Sequence, residues 1–531
     1  MKNRLLMLGA VLFPLAAAAA CGSGSRCHSE APVDAGETSP DMSGGEATHP
    51  DTPLEVLDGG STAPETAPKF VLKKMYVDGA KGVDGVSGMR TPGPVAVSDD
   101  GNTVLVGSAV PYLLEPDCLE EGAELATLVS FHRSGSDDPF SQADQYLIPS
   151  WCASEPRESD EVVFTPILRA VPGRSRALFT TMCGLKPVHR FNTVDWDPGS
   201  GKILSVQEPE LAWNGCSTKD GCLEPDRGLR VAPDGRNAYL AASLDNQAGE
   251  TWSWLLTIDL QAEPPIVVQA VKASGLRWFA LGPSGALLFG WDAGSEDFAA
   301  WSRSPASGFL GEGLHADPKV GQWFDGPTFD EVVEAGRVDG WRIEPAGHGG
   351  EFVLGGDLWT DKFTDVFLHT LEVDTEALAL QGVLSLQMYP GLSTTTESDE
   401  EFKPDYSSAL TGFTASLDGR LVAYETLQLG WPPAILVLAW RGPDSHSYLP
   451  VRTWEIELPQ WIFGNVWDPR YSLPPGDEYG HDHMAFSPDG RDLFSTHKWE
   501  IEGVPSFKPY YGCGGLLTHY QQVDSDEEGE Q

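Results

Sequence analysis

A short phrase that reads as a β-hairpin recurs along this 531-residue chain. In "HMAFSPDGRDLFSTH", residues 483–497, an apolar alternation stops at a Pro-Asp-Gly turn and a second alternation begins at once. This pattern predicts two antiparallel strands joined by a tight turn. Three further clear copies are "GPVAVSDDGNTVLVGS" (93–108), "GLRVAPDGRNAYLAAS" (228–243) and "GFTASLDGRLVAYET" (412–426), and weaker copies occupy residues 167–181, 278–291 and 341–356.

The spacing of these seven copies predicts a radial array. Turn to turn they lie roughly 50 to 75 residues apart, which leaves room for two more strands and is nearest to a four-stranded propeller blade with insertions. We therefore predict an all-β, seven-bladed β-propeller of four-stranded antiparallel blades, with an N-terminal signal and a disordered tether. The alternative is a two-sheet sandwich, which does not need a phrase repeated at a regular period.

The turn of this phrase also carries a family resemblance. The Ser-Pro-Asp-Gly turn between the two inner strands resembles the repeat of bacterial WD-like propellers, including the Tol-associated periplasmic propeller and the YVTN-type surface-layer propellers. The similarity covers about residues 69–522, without the Gly-His and Trp-Asp pairs that mark eukaryotic WD repeats. Such a resemblance implies a fold rather than a function.

The two ends of the repeat region look complementary. "KFVLKKMYV", residues 69–77, precedes the first copy and has no blade of its own, whereas "GLLTHYQQV", residues 515–523, leaves the last blade one strand short. Pairing these two segments closes the ring and covers a strand edge that would otherwise be open to aggregation.

Residues 1–20 have the pattern of a secretory signal peptide: Lys2 and Arg4, then an apolar stretch that ends in alanines. Cys21 follows at once, and this junction resembles a bacterial lipobox, although Ala18 stands where leucine is usual. The resemblance implies a lipid on Cys21 and an exported protein anchored to the bacterial outer membrane, facing the periplasm or the surface. The alternative is ordinary signal cleavage with Cys21 as a plain thiol.

Acidic residues dominate the chain, which carries a formal net charge of −43. Residues 21–68 predict a lipid-anchored, acidic, disordered tether and residues 523–531 an acidic disordered tail. These segments hold nine and five of the 78 acids, so 64 remain, against 32 bases once Lys2, Arg4 and Arg26 are set aside. This charge argues against nucleic acid or an anionic membrane surface as a direct partner and allows cationic partners or divalent ions. The alternative is that the acidity only keeps an exported protein soluble. Membrane contact is then expected through the lipid anchor only.

The propeller region contains six cysteines, and an even number in an exported chain predicts disulfides. Six cysteines allow fifteen pairings. The candidate pairs are Cys216 with Cys222, Cys118 with Cys152, and Cys183 with Cys513.

The sharpest polar cluster is "YGHDHM", residues 479–484, at the channel mouth opposite the Asp-Gly turns. In an extended strand His481 and His483 point to one side and Asp482 to the other, so the two imidazoles can share a divalent metal with Asp405 of the neighbouring blade. Arg227, which leads into another first strand, completes the candidate ligand site. The alternative is that these polar side chains cap a strand and bond neighbouring loops.

Two functional classes remain open. The first is a binding or scaffold module for a protein or small-molecule ligand at a propeller face, which needs no cofactor. The second is a propeller enzyme, such as a metal-assisted hydrolase or lactonase, with its site at the channel mouth. The sequence contains no G-x-S-x-G, H-E-x-x-H or P-loop motif, which favours the first class and leaves catalytic residues unassigned. No feature of the sequence indicates the oligomeric state.

Overall fold

The computed structural model describes residues 67–78, 86–89, 91–111, 126–147, 162–183, 188–245, 251–273, 276–292, 297–315, 337–347, 349–359, 364–378, 380–389, 408–428, 434–442, 445–456, 465–467, 483–500 and 513–523. Within these ranges the regular secondary structure is β-strand throughout. In this part of the chain there is no helix of the length and apolar character needed to cross a bilayer.

Seven antiparallel blades of four strands each follow one another along the chain, and hydrogen bonds between the first two blades join them into one eight-stranded sheet. The first strand, β1 (Lys69–Val77), belongs to the last blade. Blade 1 consists of β2 (Thr91–Val97), β3 (Thr103–Pro111), β4 (Ala126–His132) and β5 (Ser141–Leu147). Blade 2 consists of β6 (Val162–Ala170), β7 (Arg176–Cys183), β8 (Val188–Trp196) and β9 (Ile203–Gln207). A small hairpin of β10 (Ala212–Trp213) and β11 (Cys216–Ser217) follows.

The remaining five blades repeat the same order. Blade 3 consists of β12 (Leu223–Val231), β13 (Asn237–Asp245), β14 (Thr251–Asp259) and β15 (Ile266–Lys272). Blade 4 consists of β16 (Leu276–Leu281), β17 (Leu287–Asp292), β18 (Asp297–Ser302) and β19 (Leu314–His315). Blade 5 consists of β20 (Arg337–Pro345), β21 (Glu351–Trp359), β22 (Thr364–Val373) and β23 (Leu380–Tyr389). Blade 6 consists of β24 (Ser408–Ala415), β25 (Leu421–Gln428), β26 (Ala434–Trp440) and β27 (Leu449–Ile456). Blade 7 consists of β28 (Asn465–Trp467) with β29 (Met484–Phe486), then β30 (Asp492–Glu500), β31 (Cys513–Val523) and β1.

The blades form a closed ring. The first strand of each blade contacts the first strand of the next, in the order β2, β6, β12, β16, β20, β24 and β29, and β29 returns to β2. The predicted seven-bladed propeller of four-stranded antiparallel blades is therefore confirmed, and the sandwich alternative is wrong.

The two ends of the repeat region close this ring. β1 pairs antiparallel with β31, from Lys69 opposite Val523 to Val77 opposite Leu516. Phe70, Tyr76 and Val77 are buried on this strand, so the N-terminal strand contributes apolar side chains as well as a hydrogen-bond ladder. The predicted pairing of the two ends is confirmed.

Hydrogen bonds and backbone conformation explain the residues that recur in the turn of the repeated phrase. In the last copy the Ser487 hydroxyl donates to the Asp489 carboxylate at 2.6 Å and accepts the Asp492 amide at 2.8 Å. Gly490 then takes a positive φ of 72°, which glycine adopts without strain. The same serine–aspartate pair occupies the turns at 98–102 and 416–420.

Apolar side chains fill the spaces between blades. Each of the seven interfaces holds one cluster of buried apolar residues. The cluster between blades 6 and 7 joins Leu421 and Leu436 to Met484, Leu493 and Tyr520. Because neighbouring blades share each core, the blades stabilise one another rather than folding as independent sheets.

Three arginines add polar contacts between blades. Each follows the third strand of its own blade and reaches an acidic residue of the preceding blade. The pairs are Arg133 with Asp492 at 2.6 Å, Arg303 with Asp234 at 2.7 Å and Arg441 with Glu351 at 2.9 Å. Each arginine side chain is buried, but only Arg133 has a partner that is also buried, so this pair alone is fully shielded from the solvent that weakens surface ion pairs.

One predicted disulfide lies beside blade 3. Cys216 and Cys222 are joined, with their Cα atoms 5.5 Å apart, so this predicted pair is confirmed. Cys118 and Cys152 lie outside the described residues. Cys183 and Cys513 stand on strands of blades 2 and 7, and their side chains also lie outside the described residues, so both of these pairings stay predictions.

Gly419→Ala is expected to destabilise the protein by more than about 1 kcal/mol, the cost of alanine where φ is positive. Gly419 has a φ of 65°, and an added Cβ would run into the backbone of Ala346 and Gly347 in the neighbouring turn. Urea unfolding measures the change. Gly199→Ala is the control, because its nearest neighbour would be 3.7 Å from the new Cβ. If both substitutions lower the free energy of unfolding equally, the close approach of Gly419 to the neighbouring turn is wrong.

Candidate functional site

The two faces of the ring differ in their connections. All seven links between first and second strands are five residues long, and they lie at one face, which we call the turn face. Links from second to third strands and from each blade to the next leave at the opposite face, which we call the insertion face. Residues 112–125, 316–336 and 390–407 separate strand ends at the insertion face. The strand ends that these three connections join therefore lie at one face.

The first strands are irregular where they begin at the insertion face. Six of them shift register near their start: β2, β6, β12, β16, β20 and β24. Arg227, a predicted site residue, lies in the shift of β12 between Pro225 and Leu229, and its side chain lies outside the described residues. Such bulges bend a strand and re-aim its side chains.

In blade 7 the first strand is interrupted instead. β28 pairs with residues 498–500 of β30, whereas β29 pairs with residues 493–495. Thr496 and His497 lie between the two pairings, and the Thr496 amide donates to the His483 carbonyl at 2.9 Å. The predicted site residues His481, Asp482 and Asp405 lie outside the described residues, so a metal shared by His481 and His483 stays a prediction.

His483, the described member of the predicted cluster, has two partners that the sequence analysis did not name. Its Nε2 lies 3.2 Å from Glu425 Oε2, and Nε2 of His497 lies 2.6 Å from the same oxygen. All three side chains are 0% exposed. Glu425 comes from β25 of blade 6 and the histidines from blade 7, so the cluster spans one blade interface.

The cluster has room because of a glycine in the neighbouring blade. When the copies at 412–426 and 483–497 are aligned on their turns, Gly412 is equivalent to His483. A Cβ on Gly412 would lie 2.5 Å from Cε1 and 2.6 Å from Nε2 of His483. The missing side chain in blade 6 thus leaves the space that the His483 ring occupies.

The electrostatics of the cluster favour a carboxylate at its centre. Burial opposes ionisation of Glu425, but the charges of His497 and His483 and their hydrogen bonds outweigh it, so its pKa lies well below its usual range. An ionised Glu425 accepts from both imidazoles. The arrangement therefore supplies two nitrogen donors and one oxygen donor, a set that zinc and other first-row divalent metals accept.

Sequence reasoning missed His497 and Glu425 because they lie at or next to the ends of two hairpin copies, and those hairpins predicted only a structural role. His483 and His497 are the first and last residues of one copy, and a tight hairpin brings such ends together. Glu425 is the penultimate residue of the preceding copy. An alignment of the copies would have shown these residues as titratable side chains at positions where another copy has a small residue.

A second buried carboxylate lies at the next interface, between blades 7 and 1. Asp492 accepts from His519 Nε2 at 2.8 Å and from Arg133 Nη2 at 2.6 Å. Here an arginine occupies the place that a second histidine has beside Glu425. This triad joins blades through a permanent cation, and it serves as a comparison for the Glu425 cluster.

The Asp492 triad is expected to make stability depend on acid pH. Burial opposes its ionisation, but His519 and Arg133 outweigh that effect and hold the pKa of Asp492 below its ordinary value of 3.8. A lowered folded-state pKa contributes stability above the unfolded value, and this contribution is lost as pH falls through the folded value. Urea unfolding should therefore show the gap between wild type and Asp492→Asn narrowing as pH falls below about 4. A gap that stays constant down to pH 2 would contradict the pairing; exposed Asp138→Asn is the control.

Comparisons with known proteins report similarity of fold. No protein-family model matches the chain, and no curated protein matches its sequence. Among solved structures, the periplasmic gluconolactonase PpgL of Pseudomonas aeruginosa is 14% identical over 80% of this chain and 99% of its own, with a TM-score of 0.42. The Dos1 propeller is 10% identical over 85% of this chain and 95% of its own, with a TM-score of 0.40. The Cps50 (Swd1) propeller of Myceliophteria thermophila is 10% identical over 86% and 100%, with a TM-score of 0.37. Similarities at this level assign neither a substrate nor a partner.

Proposed function

We propose that this chain is an exported, lipid-anchored propeller of the bacterial WD-like type that binds a positively charged partner on its insertion face. The observation that carries this proposal is the one-sided distribution of its connections. A rigid ring with tight turns on one face and long connections on the other is the usual arrangement of a binding scaffold.

The charge of the long connections supports a cationic partner. Residues 112–125, 316–336 and 390–407 each contain five acidic residues and at most one basic residue. Because the strand ends that flank these three segments lie at the same face, we expect a negative field there, which attracts cationic surfaces and repels anionic ones. The partner class is therefore a protein with a basic surface, or a small cationic ligand.

The burial of the Glu425 cluster favours binding over catalysis at that position. A hydrolase needs its metal or base within reach of a substrate carbonyl, at hydrogen-bond or coordination distance. The side chains of His483, His497 and Glu425 are fully buried. The hydrolase or lactonase alternative would require this interface to open during each turnover.

Partner binding can be tested by removing charge from the insertion face. Full-length protein is immobilised and exposed to envelope proteins of the source bacterium, which are then eluted with rising salt. Changing the acidic residues of 316–336 and 390–407 to amides should release the retained partner at lower salt, because fewer charges attract it. Melting temperature should stay that of the wild type.

The matched control for this experiment changes charges on the turn face. Asp138 and Glu376 are exposed in connections between third and fourth strands, and Asp138→Asn with Glu376→Gln should leave elution unchanged. If the insertion-face variant retains the same proteins to the same salt concentration as the wild type, the proposed binding face is wrong.

The lipid anchor has its own test. Cys21→Ser should move the protein from the membrane to the soluble fraction, or leave an uncleaved precursor, because acyl chains supply about 0.8 kcal/mol of membrane affinity per buried methylene. Cell fractionation and gel migration measure both outcomes. A variant that fractionates and migrates like the wild type would show that Cys21 is a plain thiol.

A further inference from the structure

We propose that Glu425, His483 and His497 form a binding site for one divalent transition-metal ion, with zinc as the best-fitting ion, held between blades 6 and 7. This site goes beyond the binding function of the insertion face. It also differs from the pair His481 and His483 predicted from the sequence, since two of its three ligands come from elsewhere.

The distances fit an ion of this size. Zinc lies about 2.0–2.2 Å from imidazole nitrogen and carboxylate oxygen, which places the ligand atoms of a tetrahedral site about 3.3 Å apart. Here Nε2 of His483 and Nε2 of His497 lie 3.2 and 2.6 Å from Glu425 Oε2, and all three ligand atoms lie within 4.8 Å of one another. The separation of His497 Nε2 from Glu425 Oε2 would have to widen by about 0.7 Å to reach this spacing.

The contact with Glu425 uses only one of the two ring nitrogens of His497. Both Nε2 atoms approach the same carboxylate oxygen, which requires a proton on each nitrogen. Nδ1 of His497 is buried and makes no hydrogen bond to any described residue. A divalent ion replaces both Nε2 protons with one charge that the carboxylate balances in part, and two histidines with one glutamate are a known zinc ligand set with one position left open.

The backbone around the cluster is arranged to give it space. Gly412 supplies the room for the His483 ring, and an added Cβ there would lie 2.5 Å from that ring. The interruption between β28 and β29 falls beside His497, which has no ladder partner among the described residues of the first strand. Among the described residues, these two features occur together at the interface that carries the three donors.

The comparison site shows what a purely structural cluster contains. Asp492 pairs with one histidine and with Arg133, whose cation cannot coordinate a metal. The two sites share a buried carboxylate, a histidine Nε2 and a position between blades. Metal binding should therefore depend on the Glu425 cluster and not on the Asp492 triad, which makes His519→Gln a matched control.

The test uses untagged full-length protein, treated with chelator and then dialysed. Zinc content is measured after equilibration with zinc sulfate, and cobalt(II) chloride serves as a spectroscopic probe. The wild type should bind one equivalent of either ion and give the visible absorption of four- or five-coordinate cobalt, without the intense near-ultraviolet band that thiolate ligands produce. That last condition separates this site from the cysteines.

The variants His497→Gln and Glu425→Gln should weaken zinc binding by more than about a hundredfold, since loss of an outer-shell partner alone costs about 10- to 100-fold. Gly412→Ala should weaken it by displacing His483, and His519→Gln should bind like the wild type. The wild-type spectrum requires no variant to fold. If the chelator-treated wild type takes up neither zinc nor cobalt, or if His519→Gln loses the metal as fully as His497→Gln, the site is not a metal site.

Discussion

Deletion of residues 69–77 is expected to abolish the cooperatively folded ring, the largest effect of any change considered. The deleted strand buries Phe70, Tyr76 and Val77 against blades 6, 7 and 1. It also supplies the hydrogen-bond ladder along one edge of β31. Burial of such side chains contributes about 1.5–3 kcal/mol each, and their sum approaches the 5–15 kcal/mol that holds a typical domain together. Deleting residues 22–60 should leave the melting temperature unchanged.

Point variants in β1 show whether its side chains stabilise the closed ring, without shortening the chain. Phe70→Ala should lower the free energy of unfolding by about 3–5 kcal/mol, the usual cost of emptying a buried aromatic site. Lys73→Ala is the control, because Lys73 is exposed and lies at the register shift between Leu72 and Lys74. Calorimetry that finds the same loss for residues 22–60 as for residues 69–77 would argue against ring closure by β1.

Glu425→Ala is expected to lower the free energy of unfolding by about 3–5 kcal/mol, the usual cost of removing one partner from a buried charged pair. The substitution leaves two buried imidazoles without their shared acceptor and opens a cavity between blades. Urea unfolding with chelator present measures this loss free of any bound metal. Asp138→Asn, an exposed acid on the turn face, should change stability by less than about 0.5 kcal/mol.

A triple variant shows whether the cost comes from unpaired polar groups. Replacing Glu425, His483 and His497 together by leucine removes every polar member, and apolar replacement of a whole buried network is often neutral or stabilising. The triple variant should therefore be more stable than Glu425→Ala. If it is less stable, cavity and packing effects, rather than unpaired polar groups, explain the single variant.

The fold could be predicted from the sequence because the turns that mark the blades are formed by residues close together in the chain. Serine, aspartate and glycine at fixed offsets hold the turn by hydrogen bonds within five residues, as at Ser487, Asp489 and Gly490. Three of the seven copies of the hairpin carry this serine–aspartate turn. The seven copies at similar spacing, together with a spare strand at each end, were enough to predict the number of blades and the closure. The confirmed Cys216–Cys222 disulfide is local in the same sense.

The candidate site was harder to predict because its contacts join different blades. His483 was predicted as a site residue because of the residues next to it in the sequence. Its partners Glu425 and His497 lie 58 and 14 residues away along the chain. Their approach depends on how blades 6 and 7 pack and on the empty position at Gly412. Neither property has a signature in one blade alone. The arginine contacts between blades, such as Arg133 with Asp492, were missed for the same reason.

Anomalous diffraction at the zinc absorption edge tests most directly whether the interface of blades 6 and 7 binds a divalent metal ion. Crystals of the full-length protein grown with zinc chloride should show one strong anomalous peak about 2.0–2.2 Å from Glu425 Oε2, His483 Nε2 and His497 Nε2. A map in which both imidazoles remain hydrogen-bonded to Glu425 with no peak between them, or in which zinc binds only elsewhere, would contradict metal binding at this interface.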